Sequence, residues 1–594
     1  MHVSLFMAIS ARYCVLELLG KPARMEAKGG LMTIQQGWIF TALFLLALLP
    51  RLYSAQTIGW DWDHPGSFTL INFDEGGSCR AAMNGFSYST FVGRQTIAIA
   101  SVLGHAPDPG ISGDQLAVKA YCHAPDHILV ARTYSAVLGA LTALLVVFLG
   151  LQLIPGAPVV AWTAGGLLAV SGFHMSQSQS GTVDAPSTFF IYLFLCFMVW
   201  SVRRRAASAL LLSPVFALFA MWTKYWVFAI FAYLAVLPLG WWKAVSKGFS
   251  GKRIVLFVLV VSVWLAALTN VAFPEMGLLL VLATYLLIVP WRQSSRIMAV
   301  VWALLPLALW AVTQVDLINA YTTGGSAGRF GGGYAAIGEH KWLRNLVNVP
   351  AVITMGIGIP ACLFIPAGIR CLISASGQHR FWLCMLPVLG FLLFMAFLAP
   401  VTYYRHYLPL IPAACLLAAL GLHSTTWGRR PWFLVLFFVW PALLAWDMVT
   451  DYHRDPRALM RNWYQQHSEA AVFTSFYVSP PAGLRAVLFR PEFAAGEGAS
   501  LKQADYLVLS ENWYDTAFAN ELNGPVVDNL DLLVKTTPEY ATFYRQVLAG
   551  VHPYLEPHDE YLLSHFMPEL RLHRHWYGNF QLFVGDIKVF RVRK

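Results

Sequence analysis

Residues 127–152 read HILVARTYSAVLGALTALLVVFLGLQ, a run whose one Asp, Glu, Lys or Arg is Arg132. A helix needs about 20 apolar residues to cross the hydrocarbon of a bilayer, and this run is long enough. Comparable runs lie near residues 33–53, 157–176, 183–201, 206–222, 224–241, 254–272, 276–291, 296–315, 350–369, 381–399, 406–423 and 431–449. The expectation is therefore about thirteen transmembrane helices. The whole chain agrees. Of its 594 residues 57% are hydrophobic and 12% charged, about half the charge of a typical soluble domain, and mean hydropathy is +0.56. These values exclude a soluble protein and a disordered one, and eight Cys in this length exclude a disulfide scaffold. The chain reads as a polytopic α-helical membrane protein.

The net charge of +10 is explained by loops rather than by nucleic acid, because Lys and Arg accumulate on the cytoplasmic side. With the N-terminus inside, beside Lys21, Arg24 and Lys28, every short basic loop falls on one side. These are Arg203–Arg205, Lys243–Arg253, Arg292–Arg296, Arg370–Arg380 and Arg429–Arg430. Thirteen spans then place the C-terminus outside. Residues 1–31 are read as a cytoplasmic extension with no assigned role, and 32–449 as the membrane domain. Three segments are too polar for the bilayer and face outward: loop 54–126, the Gly-rich loop 316–349, and the tail 450–594. That tail alternates strand-like stretches (Ala471–Phe476, Tyr506–Ser510) with helical ones (Asp515–Leu522, Glu539–Gly550). It ends in an expected hairpin, Gly578–Val592, turning at Gly585–Asp586, and reads as a C-terminal extracytoplasmic α/β domain.

The chemistry gathers at the outward face. Asp74 and Glu75 are adjacent in loop 54–126, with Arg80 six residues beyond Asp74. Asp184 opens the fourth span, Lys224 sits between the fifth and sixth, and Tyr403-Tyr404-Arg405-His406 precedes the twelfth. Each has a plain explanation: acids favour helix N-termini, and cations at span edges snorkel. Two acids and two bases at one face instead suggest a polar cavity. His340 in loop 316–349 is a further substrate-binding candidate, although a mobile glycine-rich loop explains that segment equally well. Cys79 and Cys122 are the Cys of the outward segments and can pair if the compartment is oxidising.

In this order the residues resemble the GT-C glycosyltransferases, the polyprenyl-phosphate-sugar-dependent enzymes that include protein O-mannosyltransferases and the lipid A aminoarabinose transferase. The matching features are Asp74-Glu75 soon after the first span, Asp184 two residues before Pro186, Lys224, and Arg405 among aromatics before a Pro-rich span. The tail segments Asp451–Trp463 and Ala504–Ser510 also look like members with a C-terminal outward domain. The resemblance implies a sugar carried on a polyprenyl phosphate, transferred with inversion to an extracytoplasmic acceptor that is a protein, lipid or glycan. It implies Asp74 as catalytic base and Glu75 as its support or an acceptor-orienting group. Arg80, Asp184, Lys224, His340, Tyr403, Arg405 and His406 would contact substrate. Gly77 stands where the aminoarabinose transferase carries a basic residue, which leaves the phosphate contacts open. No Asp-x-Asp lies near Asp184, so no metal ligand set is assigned. Asp61-Trp-Asp63 leaves a divalent ion open; no cofactor is expected with certainty, the lipid-linked sugar being a substrate.

The reading is thus an integral-membrane glycosyltransferase, a hexosyl- or pentosyltransferase of a bacterial inner membrane, in contact with membrane lipids and with no nucleic-acid partner. Its rivals are a transporter or flippase for lipid-linked sugars, which calls for charges midway along the spans, and a non-catalytic cell-envelope assembly protein.

Overall fold

The computed structural model describes residues 34–59, 70–84 without 73, 90–204, 216–224 without 218, 341–374, parts of 385–395, 404–475, parts of 478–489, 501–514, 538–577 and 585–594. The expected extension 1–31, the spans between 225 and 315, most of the loop 316–349 and the helix expected at 515–522 lie outside the described residues.

The membrane part is helical. Its elements are α1 (Ile34–Thr57), the short α2 (Gly77–Asn84), α3 (Thr90–Val102), α4 (Gln115–Cys122), α5 (Pro125–Leu153), α6 (Pro158–Ala169), α7 (Gly172–Ser178) and α8 (Asp184–Arg204). After the undescribed stretch come α9 (Lys341–Cys362), α10 (Ile365–Ser374), a 3-10 turn at Tyr404–Tyr407, α11 (Leu410–His423) and α12 (Pro431–His453). Among the described residues four helices are long and apolar enough to cross a membrane, or five if the bent pair α6–α7 is one span. Helix α5 is the axis, packed against α1, α6 and α8. Buried small residues such as Ala140, Ala143, Ala161 and Ala164 line it and α6, which lets backbones approach where lipid supplies no hydrophobic drive between helices.

Three sequence expectations change here. The third span, expected as one helix over 157–176, bends by 57° between α6 and α7. A helix that ends inside leaves carbonyls without partners, costly away from water. Arg51 of α1 meets them: its guanidinium donates to Leu168 O at 3.1 Å and Ala169 O at 2.8 Å, and lies 3.2 Å from His174 Nδ1. Hydropathy averages over such a break and cannot see it. Likewise the junction between the third and fourth expected spans, Ser176–Pro186, is buried throughout rather than exposed. A third boundary also moves. Helix α9 starts at Lys341, nine residues before the expected 350, because Asn345 and Asn348 are buried in the bundle rather than marking a loop.

The C-terminal part carries strands β1 (Val472–Thr474), β2 (Ala486–Leu488), β3 (Tyr506–Ser510), β4 (Leu555–Tyr561) and β5 (Ile587–Val592), with α13 (Pro538–Leu548) and α14 (Pro568–Tyr577). The sheet order is β2-β1-β3-β5-β4. β1 runs parallel to β2 and β3, while β5 runs antiparallel to β3 and β4. The central strand β3 is buried on both faces: Leu507 and Leu509 pack with Phe543 and Val547 of α13, Val508 with Trp463 and Tyr464. Such strands read as continuous apolar runs. The expected local hairpin at 578–592 is corrected. Strand β5 lies between β3 and β4, its partners reached across α14, and residues 578–584 are outside the described set.

Candidate active site

Asp74 and Glu75 sit in a tight turn that sends their side chains opposite ways. Asn72 organises it, its Oδ1 accepting from Asp74 N at 2.9 Å and its carbonyl from Glu75 N at 3.0 Å. Gly76 follows at φ +77°, where a Cβ would fall 2.6 Å from Cys122 O, so both the left-handed conformation and the close approach call for glycine. A disulfide between Cys79 and Cys122 ties α2 to α4. The pairing left open by the sequence is made, and it anchors the turn.

Glu75 is completely buried with Arg132 of α5. Its oxygens accept from Arg132 Nε at 2.8 Å and NH2 at 2.9 Å, and from the amides of Ile71 and Gly181, both at 2.8 Å. Burial by itself would raise the Glu75 carboxyl. The Arg132 charge and hydrogen bonds, with those two amides, outweigh burial and hold it below the ordinary carboxylate range. A carboxylate so saturated has no lone pair to offer a substrate, and its placement is that of a support beneath Asp74. The Gly181 amide comes from the buried segment between α7 and α8, which explains why that segment is inside.

Asp74 faces outward. Its Oδ2 lies 2.6 Å from Arg405 NH2, with the two side chains 31% and 22% exposed. Beside it Lys224 Nζ lies 2.7 Å from Asp184 Oδ1. The two pairs are one cluster: Asp184 is within electrostatic reach of Arg405 and His406, and Lys224 of Asp74 and Arg405. Five of the expected site residues, drawn from four distant chain segments, thus meet at one face. Arg80, on α2, is within reach of His123 at the α4–α5 junction. Burial, then Lys119 and Arg80, push that imidazole down to about 4. His340 and Tyr403 lie outside the described residues, as do Asp61, Asp63 and His64. Among the described residues no group of three or more His, Cys, Asp and Glu is placed to hold a metal ion.

The arrangement joins a partly solvated carboxylate to a cluster of cations at a membrane edge. It can take a proton from an incoming hydroxyl and receive an anion beside it. Arg132 was not singled out as functional by sequence reasoning, although a lone Arg within a 26-residue apolar run is the signal that finds it. Arg51, in the first expected span, carries the same signal.

No family model matches the chain, and no curated protein is similar to it. Solved structures similar to it include the Archaeoglobus fulgidus oligosaccharyltransferase in the apo form, at 12% identity and TM-score 0.42, covering 93% of this chain and 88% of that one. A second is the archaeal oligosaccharyltransferase AglB from Archaeoglobus fulgidus in complex with an inhibitory peptide and a dolichol-phosphate, at 13% identity and TM-score 0.42, covering 83% and 72%. A third is ArnT from Cupriavidus metallidurans bound to undecaprenyl phosphate, at 15% identity and TM-score 0.36, covering 82% and 94%. Likeness at this level leaves the assignment to the site itself.

Proposed function

We propose that the chain is an integral-membrane glycosyltransferase, hexosyl or pentosyl in type, of the bacterial inner membrane. It moves a sugar from a polyprenyl-phosphate donor to an extracytoplasmic acceptor with inversion. The observation that carries this reading is the Asp74–Arg405 pair at 2.6 Å, partly open to solvent, with Lys224 and His406 beside it. Asp74 takes the proton of the acceptor hydroxyl. The acceptor oxygen forms a bond to the anomeric carbon, the carbon–oxygen bond to the lipid phosphate breaks, and the phosphate departs with that electron pair. An unperturbed Asp is a weak base, so it must be held against the hydroxyl in a cleft. Arg405 is the phosphate contact, its planar fork suiting two phosphate oxygens. Its pairing with Asp74 before substrate arrives keeps both groups oriented. Asp184, buried and paired with Lys224, orients that lysine toward the sugar-binding side of the site. Arg80, His340, Tyr403 and His406 complete the proposed substrate contacts, with Glu75 as a positioning residue. The N-terminus is cytoplasmic and the C-terminal α/β domain extracytoplasmic in this reading.

The test is mass spectrometry of lipids co-purifying with wild type and with Asp74→Asn. A polyprenyl-phosphate hexose or pentose enriched on the variant is expected, since the donor then binds without turning over. A polyprenyl diphosphate oligosaccharide held equally by both would point to the flippase. Phospholipids alone in both, together with undiminished sugar transfer by Asp74→Asn membranes, would sink the base assignment.

A further inference from the structure

The C-terminal part grips the outward site from two sides. On the acid side, Arg457, buried against Asp455 with Nη2 2.6 Å from its Oδ2, also donates to Ile71 O at 3.5 Å, and Arg461 donates to Gly59 O at 3.3 Å. Ile71 is the residue whose amide holds Glu75. On the cationic side, the His573 ring of α14 meets the Tyr404 ring edge-on, centroids 4.9 Å apart. Tyr404 is buried and opens the turn Tyr404–Tyr407 that carries Arg405 and His406.

The grip on the cationic side is built into a membrane helix. Within α9, Gly358 stands at φ +77°, ψ 152°, breaking the helix. A break frees an amide that must find a partner where water is excluded. The amide of Ile359 finds it in Glu569 of α14, at 2.9 Å, and the same Oε1 accepts from Trp440 Nε1 of α12 at 2.7 Å. In return Asp447 of α12 accepts from the amides of Phe566 and Met567, at 2.9 and 2.6 Å, just ahead of α14. Each part completes hydrogen bonds that the other leaves open. A module merely tethered by its linker would need none of these exchanges, and inter-domain contacts are ordinarily loose.

We propose that α14 is a brace for the Asp74–Arg405 pair: Glu569 fixes the helix against α9 and α12, and His573, through Tyr404, sets the height of Arg405 opposite Asp74. Both are positioning residues. The inference rests on the glycosyl-transfer reading for what Arg405 contacts, and on geometry alone for how Arg405 is held.

Two readouts on the full chain in lipid nanodiscs separate these. Hydrogen exchange of residues 404–411 reports the brace without any substrate. His573→Ala is expected to speed exchange there about tenfold, with α5 and α8 unchanged and His573→Phe restoring protection. Glu569→Ala is expected to act alike, with Glu569→Gln restoring it. Tyr404→Leu removes the same ring contact from the other side, should His573→Ala not fold. Undecaprenyl phosphate is the probe for the second readout. His573→Ala should weaken its binding three- to tenfold in the wild type and not at all in an Arg405→Gln background. Unchanged exchange at 404–411 in all variants would overturn the brace, as would equal affinity losses in both backgrounds. Faster exchange in proteins that bind no probe at all would uphold the brace and count against the lipid-phosphate reading.

Discussion

Asp74–Arg405 and Glu75–Arg132 are both carboxylate–arginine pairs, built on consecutive acids, and they do opposite things. The first is partly exposed, with a guanidinium contact at 2.6 Å. The second is fully buried, with two guanidinium bonds and two backbone amides on the same carboxylate. A pair partly open to solvent is held by less net energy than a buried one, so it can open and exchange partners. Breaking a buried pair costs several kcal/mol, so the inner one cannot exchange partners. Charge and residue type are nearly the same in both. Access decides which pair can act and which one holds.

Four changes would break or sharpen that contrast. The largest effect belongs to Asp74→Asn, which keeps the shape and removes the proposed base. A loss of about 10²–10⁴-fold in transfer rate is expected, with a denaturation midpoint equal to wild type. Glu75→Gln should invert this pattern, leaving Arg132 buried without its counter-charge at a cost of about 3–5 kcal/mol, read by denaturant titration in detergent. If Glu75→Gln were as stable as wild type, the distinction between the pairs would fall. Next comes the clasp on the acid turn. Replacing Cys79 and Cys122 by Ala opens a closed loop with 43 residues of separation, worth up to about 4 kcal/mol on the loop-entropy account. Proteolysis within 85–115 should rise before the spans are affected.

The smallest effect is on pH. Burial first, and His565 second, push the His573 imidazole down to about 3 from its ordinary 6.5. A histidine kept neutral when folded contributes stability that is full above pH 6.5 and is lost as pH falls toward 3. His573→Phe should therefore remove about 1–2 kcal/mol of the stability lost between pH 7 and pH 5. An unchanged acid profile in that variant would show that the packed imidazole takes up its proton as readily as in the unfolded chain.

Much of the cluster was legible in the sequence. Basic loops sort the span ends into two sides, and Asp74, Asp184, Lys224, Arg405 and His406 all fall on the same one. The inward turn of Glu75 was not legible. It depends on Arg132, 57 residues away, and on the Gly181 amide, which a polar Ser-Gln run seemed to place in water. The α6–α7 break was hidden for the same reason that Arg51 caps it: a single arginine in α1 serves carbonyls more than a hundred residues distant. The strands Val472–Thr474 and Tyr506–Ser510 were visible as apolar runs. The partners of β5 were not, because its neighbours lie across a helix and only packing chooses them.

The bond from Ile359 to Glu569 links residues 210 positions apart. At about 5–20 residues per second on the ribosome, α9 is made roughly 10–40 s before its acceptor exists. For that interval a nascent membrane helix carries a broken turn with no partner for its amide. Its final shape is therefore a late event of biosynthesis, reached when the last part of the chain has emerged and docked.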